Sequence, residues 1–202
     1  MSVATALHRA RVDAVVSALL ANDARHIVDL GCGPGELLQT LQGYTQFRRL
    51  LGIDIDARAL AKARGALGLD LFNRNERLDV CLGSFEDSDW HPAGVDAAVM
   101  LETIEHVPPG RLPKVEQSVF GELAPALVLV TTPNREYNPL HGMAPGERRH
   151  PGHHFEWTRE QFRCWAQAVG DRHGYRVDFS DIGPRDRVLG SSTQMASFRK
   201  AA

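Results

Sequence analysis

Three side chains able to hold a cation stand close together in Leu101-Glu102-Thr103-Ile104-Glu105-His106-Val107-Pro108. Glu102, Glu105 and His106 fall at i, i+3 and i+4, so one helical turn would present all three on one face. With no Lys or Arg beside them, two carboxylates and an imidazole brought together would repel unless something positive lay between them. A divalent cation answers that need, because mixed oxygen and nitrogen ligands suit Mn, Mg, Fe or Zn. The same spacing also fits a solvated helix start, where the dipole favours acids. A second segment, Arg148-Arg149-His150-Pro151-Gly152-His153-His154-Phe155-Glu156-Trp157-Thr158-Arg159, can deliver a fourth ligand from elsewhere in the chain, or form a surface loop with incidental His. Between the two in sequence lies Thr131-Thr132-Pro133-Asn134.

A different chemistry is written in Val28-Asp29-Leu30-Gly31-Cys32-Gly33-Pro34-Gly35-Glu36. Asp29 sits near the end of an expected strand, and Gly31, Gly33 and Gly35 turn the chain into a helix. Glycines let backbone N–H groups approach a ligand closely, and the helix start is electropositive. The spacing is GxGxG, not the GxGxxG of dinucleotide-binding folds. Asp54 closes the next expected strand, where a carboxylate accepts both hydroxyls of a ribose. Taken alone, such a loop also fits a plain tight turn.

These residues need a frame, and the hydrophobic pattern supplies an alternation of helices and short strands that reads as βαβ units. A leading helix is expected over 6–21, with Val12, Val15, Val16 and Leu19 on one face. Strands are expected at 25–30, 49–55, 78–82, 96–101 and 126–131, and helices at about 36–41 and 57–67. From Thr132 to His154 the composition turns to Pro, Gly, Asn, Arg and His, a long insertion of the kind that is usually functional. A helix then follows Trp157, opened by a Thr158/Gln161 capping box and carrying Phe162, Trp165 and Val169. Tyr175–Phe179 and Gln194–Phe198 are expected as a terminal pair of strands whose order stays open. The expected architecture is α/β, with a mostly parallel seven-stranded Rossmann-like sheet covered by helices on both faces.

Composition sets the outer limits. The 202 residues are 43% hydrophobic and 24% charged with a formal net charge of −2, average values that exclude a disordered chain, a collagen-like repeat and a disulfide scaffold. That length suits one domain, 1–202, divided into a leading helix (1–24), a cofactor half (25–131), an active-site loop (132–157) and a C-terminal helix with strands (158–202). Cys32, Cys81 and Cys164 form no CxxC pair and read as reduced thiols. No apolar run approaches a membrane span, and Arg9, Arg11 and Asp13 interrupt the N-terminal run, so a cytoplasmic address without membrane contact is expected. Charge is unevenly placed: residues 50–109 hold 11 acids and 5 bases, whereas 135–187 hold 9 Arg, 8 acids and five His. A near-neutral total therefore does not exclude nucleic acid.

The glycine loop with its acidic partner resembles the first motif of class I S-adenosylmethionine-dependent methyltransferases. That resemblance covers 25–131 and implies that Asp29, Gly31, Gly33 and Gly35 face the methionine part of the cofactor. It implies that Asp54, next to Ile55, holds the ribose, that Ser84 and Phe85 flank the adenine, and that Leu101 borders the same site. The remaining motifs narrow the likeness. E-T-I-E-H after the fourth strand, T-P-N after the fifth, H-P-G-H-H-F-E-W-T-R before the next helix and the terminal T-Q-M-A-S-F together resemble the RNA 3′-terminal ribose 2′-O-methyltransferases. In that family the corresponding segments read E-x-x-E-H, T-P-N and H-x-D-H-x-F-E-W-T-R, and the likeness spans nearly the whole chain.

The resemblance implies a metal held by Glu102, Glu105, His106 and His153, Mn favoured over Mg, with Thr132 and Asn134 near the acceptor. His153, rather than His154, keeps the spacing to Phe155-Glu156-Trp157. One departure stands out: the family's Asp in H-x-D-H is Gly152 here, which would weaken the metal site if that Asp orients a ligand. The implied reaction is methylation of the 2′-OH of the 3′-terminal nucleotide of an RNA with free 2′,3′-hydroxyls, beside an RNA end-healing and ligation enzyme in some bacterial relatives. Arg148, Arg149, Arg159 and Arg163 are candidates to meet the RNA phosphates. Two other readings remain open on the residues: a metal-independent methyltransferase acting on a small molecule or protein, and a nucleotide-binding module without catalysis.

Overall fold

The computed structural model describes residues 3–69 and 75–201. Helix α1 (Val3–Ala21) leads into β1 (His26–Leu30), α2 (Glu36–Leu41), β2 (Arg49–Asp54), α3 (Ala57–Leu67), β3 (Leu78–Leu82) and β4 (Ala97–Leu101). A helix α4 (Leu112–Val115) that widens into a π-helical stretch (Glu116–Leu123) precedes β5 (Leu127–Pro133), and α5 (Arg159–His173), β6 (Tyr175–Asp186) and β7 (Gly190–Lys200) complete the fold. The seven strands run in the order β3-β2-β1-β4-β5-β7-β6. β1 to β5 pair in parallel and β7 is antiparallel to both β5 and β6.

Alternate residues of the parallel strands feed two cores. Ile27, Leu50, Ala97 and Val99 pack with Val12, Val15 and Leu19 of α1, Leu38 of α2 and Leu60 of α3. Val28, Leu30, Ala98, Met100 and Val128 pack with Val115, Val119 and Phe120 of the α4 region and Phe162, Ala166 and Val169 of α5. Both faces are therefore covered, as a parallel sheet requires. Strand order reverses between β1 and β4, and the crevice above their C-terminal ends is where such sheets place ligands.

The expected elements recur with shifted ends. α1 begins at Val3 rather than 6, β1 and β4 begin one residue later than expected, β2 ends one residue earlier, and β5 continues through Pro133. The terminal strands are longer than Tyr175–Phe179 and Gln194–Phe198, and most of the added residues are polar, Gly or Pro, which carry no apolar strand signal. β6 is an edge strand with a register shift between Ile182 and Arg185, where Pro184 costs no ladder bond. In β7, Ser191, Ser192, Thr193 and Gln194 are buried beneath the loop 132–157. The α4 region was not expected, since Pro113 and Gly121 dilute its helical signal. Within 132–154, Arg135–His141 forms a 3-10 turn that has no apolar repeat. Among the described residues no helix is long and apolar enough to cross a membrane.

Candidate active site

At the end of β1, Gly31, Gly33 and Gly35 all take positive φ angles of 77°, 52° and 85°. Gly31 allows no side chain, because a Cβ there would lie 2.3 Å from Cγ2 of Thr103. The loop is tied to the next strand: Gly33 N–H donates to Asp54 Oδ2 (2.7 Å) and Asp56 N–H to Asp54 Oδ1 (2.8 Å). Asp54 thus braces the glycine turn while staying partly exposed. Asp29 is buried, and burial together with the neighbouring Asp54 charge pushes its carboxyl up to about 7. A cavity of about 190 Å³ opens here, lined by Asp29, Gly31, Gly33, Leu101, Glu102 and Arg11 among others. Ile55 is exposed at the end of β2, and Ser84 and Phe85 follow Gly83, whose N–H bonds Asp54 O. These three stand at the neighbouring strand ends and do not line that cavity.

Glu102, Glu105 and His106 do converge, but not on the face of a helix. Glu102 adopts a left-handed φ of 55° immediately after β4, and only Ile104–His106 form a 3-10 turn. The kink is secured by Thr131, whose Oγ1 accepts the Glu102 N–H (3.0 Å) and donates to Glu102 Oε1 (2.9 Å). The absence of a cation near these acids also needs correction: Arg11 of α1 reaches Glu102 Oε2 at 2.7 Å. Glu105 is fully buried, with Oε2 accepting from Thr132 Oγ1 (3.0 Å). Its Oε1 has no hydrogen-bond partner and faces Nε2 of His153 at 3.9 Å. Burial and the Glu102 charge hold the Glu105 carboxyl well above the usual carboxylate range, and burial raises Glu102 despite Arg11.

The imidazoles are aimed by their other nitrogens. His153 Nδ1 meets Glu156 Oε1 at 2.6 Å and His106 Nδ1 meets the Gly152 carbonyl at 3.1 Å. Both partners accept, so Nδ1 of each ring carries a proton and Nε2 is the nitrogen turned toward the cavity. Candidate ligand atoms of His106, His150 and His153 lie within 4.8 Å of one another. Burial and the neighbouring His153 lower the His106 pKa, keeping that ring neutral and ligand-ready. Glu102, Glu105, His106, His150 and His153 share one cavity of about 610 Å³ with Arg11 and Arg149. Among the described residues the ligand atoms close enough to share one cation are the imidazoles of His106, His150 and His153. Glu102 and Glu105 stand outside that group, with the donor-free Glu105 Oε1 3.9 Å from His153 Nε2, so the histidines fit a metal and the Glu105 oxygen borders it. The two cavities meet at Glu102 and Arg11, which line both.

A methyltransferase-domain family model matches residues 27–126. The small RNA 2′-O-methyltransferase of Arabidopsis thaliana is 33% identical over 97% of this chain and 23% of its own length. The methyltransferase domain of the bacterial CtHen1 protein is 36% identical with a TM-score of 0.86, covering 96% of this chain and 99% of that domain. The chain belongs to the small RNA 2′-O-methyltransferase family. S-adenosylmethionine is its cofactor. A chain of the Pnkp1/Rnl/Hen1 RNA repair complex shares the fold at 22% identity and a TM-score of 0.69, covering 96% of this chain and 42% of that one. This chain spans about a quarter to half the length of the curated relatives it matches.

Within this family member the remaining motif residues separate into those that face the cavity and those that brace it. His153 is buried beside Glu105, whereas His154 is exposed and meets Glu105 only through its backbone N–H (2.8 Å). Thr132 orients Glu105. Asn134 points elsewhere: its amide donates to Leu189 O and Ser191 O and its carbonyl accepts from Glu136 N–H, pinning the loop to β7. A Cβ on Gly152 would start 3.0 Å from His150 Nδ1 and 3.2 Å from His106 Nδ1. The family's Asp at this position would therefore enter between those rings, and here the Gly152 carbonyl itself orients His106. Arg11, His150 and Glu156 were not singled out as site residues. Glu156 carries a sequence signal, since it stands three residues after His153, but Arg11 carries none beyond a polar position on α1. Replacing Glu156 with Gln takes the anionic acceptor from His153 Nδ1. Affinity for Mn, followed by electron paramagnetic resonance, is expected to fall about 10- to 100-fold while cofactor affinity holds.

Proposed function

We propose that this chain methylates the 2′-OH of the 3′-terminal nucleotide of RNA, using S-adenosylmethionine and a divalent metal, Mn favoured over Mg, and so protects the RNA end. One observation carries the reading: the Glu/His cavity and the glycine-loop cavity meet at Glu102 and Arg11, so an acceptor in one lies against a donor in the other. The bound cofactor supplies an electrophilic sulfonium methyl. Glu102, Glu105, His106 and His153 would hold a cation, which would supply Lewis acidity toward a hydroxyl proton.

The protein's own groups do the positioning. Thr131 and Thr132 orient the two carboxylates, and Glu156 and Gly152 orient the two rings. His106 and His153 give their Nδ1 protons to oxygen acceptors, which suits their Nε2 atoms to ligation rather than to service as a free base. End selectivity follows from the terminal diol. Internal nucleotides and ends carrying a 3′-phosphate lack the free vicinal 2′,3′-hydroxyl pair that a cation would chelate. An RNA end-healing and ligation enzyme as partner belongs to the same reading, because healed ends carry that diol.

The test is transfer of labelled methyl from the cofactor to a short RNA with free 2′,3′-hydroxyls. Transfer is expected with Mn, absent in EDTA, and absent on the same RNA ending in 2′-deoxyribose or 3′-phosphate. Full activity in chelator would instead support a metal-independent methyltransferase with a structural Glu/His cluster. Asp54→Ala is expected to lose cofactor binding while Mn binding persists, as equilibrium dialysis would report.

A further inference from the structure

A separate cavity of about 640 Å³ lies within the loop 132–157, a size that suits one bound organic ligand. Its walls combine Arg135 and Arg148 with the half-buried rings of Phe155 and Trp157, whose centroids are 4.3 Å apart. Two of its three carboxylates are engaged elsewhere: Glu136 with Arg159, and Glu156 with Asn138, His153 and the Arg149 N–H. The third, Glu147, caps a turn through the Ala144 N–H. The cations are freer. Among the described residues the Arg135 guanidinium makes no hydrogen bond or ion pair, and Arg148 has one, to the His153 carbonyl (2.7 Å). Met143 lines both this cavity and the Glu/His cavity, and Glu156, in the wall of the first, holds His153 in the wall of the second.

The other arginines are not available in the same way. Arg149 is bound to Asn138, Ser192 and Asn134, Arg159 to Glu136, and Arg163 lies over the Phe179 ring at 4.8 Å. We infer that the 640 Å³ cavity binds the single-stranded RNA nucleotides that precede the terminal one, with phosphates at Arg135 and Arg148 and a base against Phe155 and Trp157. Charge complementarity selects a polyanion, and half-buried aromatic rings in the wall beside arginine suit an unpaired base, which a duplex end cannot present. Continuity through Met143 puts the preceding nucleotide here when the terminal ribose is in the Glu/His cavity. The inference rests on the proposed RNA end as substrate.

It is tested by fluorescence anisotropy of a 5′-labelled single-stranded RNA of ten nucleotides on the full chain, across a salt series. The double variant Arg135→Ser/Arg148→Ser is expected to raise Kd about tenfold. The slope of log Kd against log salt should shrink by about 1, as loss of one to two phosphate contacts requires. Arg135→Ser alone, which breaks no internal bond, is expected to raise Kd about threefold and guards against a folding defect at Arg148. Wild-type protein should also bind the single strand more tightly than a blunt duplex of the same sequence. Unchanged Kd and slope in both variants, or equal binding of the duplex, overturns the inference, as does wild-type protein that binds no RNA. Methyl transfer to the same RNA, measured in parallel, separates the two claims. Transfer by wild type with Kd insensitive to the variants defeats the cavity alone, and variant-sensitive binding without transfer defeats the proposed reaction alone.

Discussion

Glu105→Gln lowers kcat/KM for methyl transfer to RNA by at least about a thousandfold, equivalent to about 4 kcal/mol of transition-state stabilisation. The side chain keeps its size, and Thr132 Oγ1 can still donate to the amide oxygen, so packing around this fully buried position is preserved. What is removed is the charge at Oε1, the one carboxylate oxygen of the cluster that has no protein donor. The same substitution should stabilise the metal-free protein by about 1–2 kcal/mol, because it takes an uncompensated ionisable group out of the interior. Metal titration then discriminates. Wild-type protein gains thermal stability with added Mn as mass action dictates, whereas the variant gains little. Cofactor affinity should change less than twofold, and wild-type turnover by the variant would remove Glu105 from the cation site.

The second large effect is a pH dependence centred on Asp29. Burial, followed by the Asp54 charge, moves its carboxyl from 3.8 to about 7 in the folded protein. The folded state therefore keeps a proton that the unfolded chain has released, and stability declines as pH rises from about 4 to about 7. Across that window the decline attributable to this group is of order 4 kcal/mol. Asp29→Asn should flatten it, a comparison that urea denaturation at pH 4.5 and pH 7.5 makes directly. Binding of a cationic cofactor favours the ionised form, so wild-type affinity for S-adenosylmethionine should strengthen with pH up to about 7 and level off beyond. The variant should bind more weakly with no such slope, measured by calorimetry. A slope of the same size in Asp29→Asn would assign the titration to another group.

Both effects come from residues that stand out in the chain as text, yet their behaviour does not. The glycine turn was legible because its requirement is local: three positive φ angles within five residues need glycine regardless of the remaining fold. The parallel strands were legible because burial on both faces demands short unbroken apolar runs. The α4 region was not, since Pro113 and Gly121 interrupt the pattern that Val115, Val119 and Phe120 complete only once packed beneath α5. Nor were the inner residues of β7, where Ser191, Ser192 and Thr193 are buried by the loop 132–157 and not by any hydrophobic repeat of their own.

The chain alone determined the chemistry on offer: a glycine loop with an acid on the following strand, and a set of carboxylates and imidazoles carried by two distant segments. Tertiary structure decided how that set is used. It replaced the expected helical face with a left-handed residue at Glu102, brought Arg11 from the first helix onto that carboxylate, and turned His153 inward while leaving His154 in solvent. It also divided the arginines into those bonded inside the protein, such as Arg149, and those left exposed, such as Arg135. The reason is physical. Periodicity and spacing report what one element buries, whereas the partner of a charge depends on which other elements the sheet order brings within hydrogen-bonding distance.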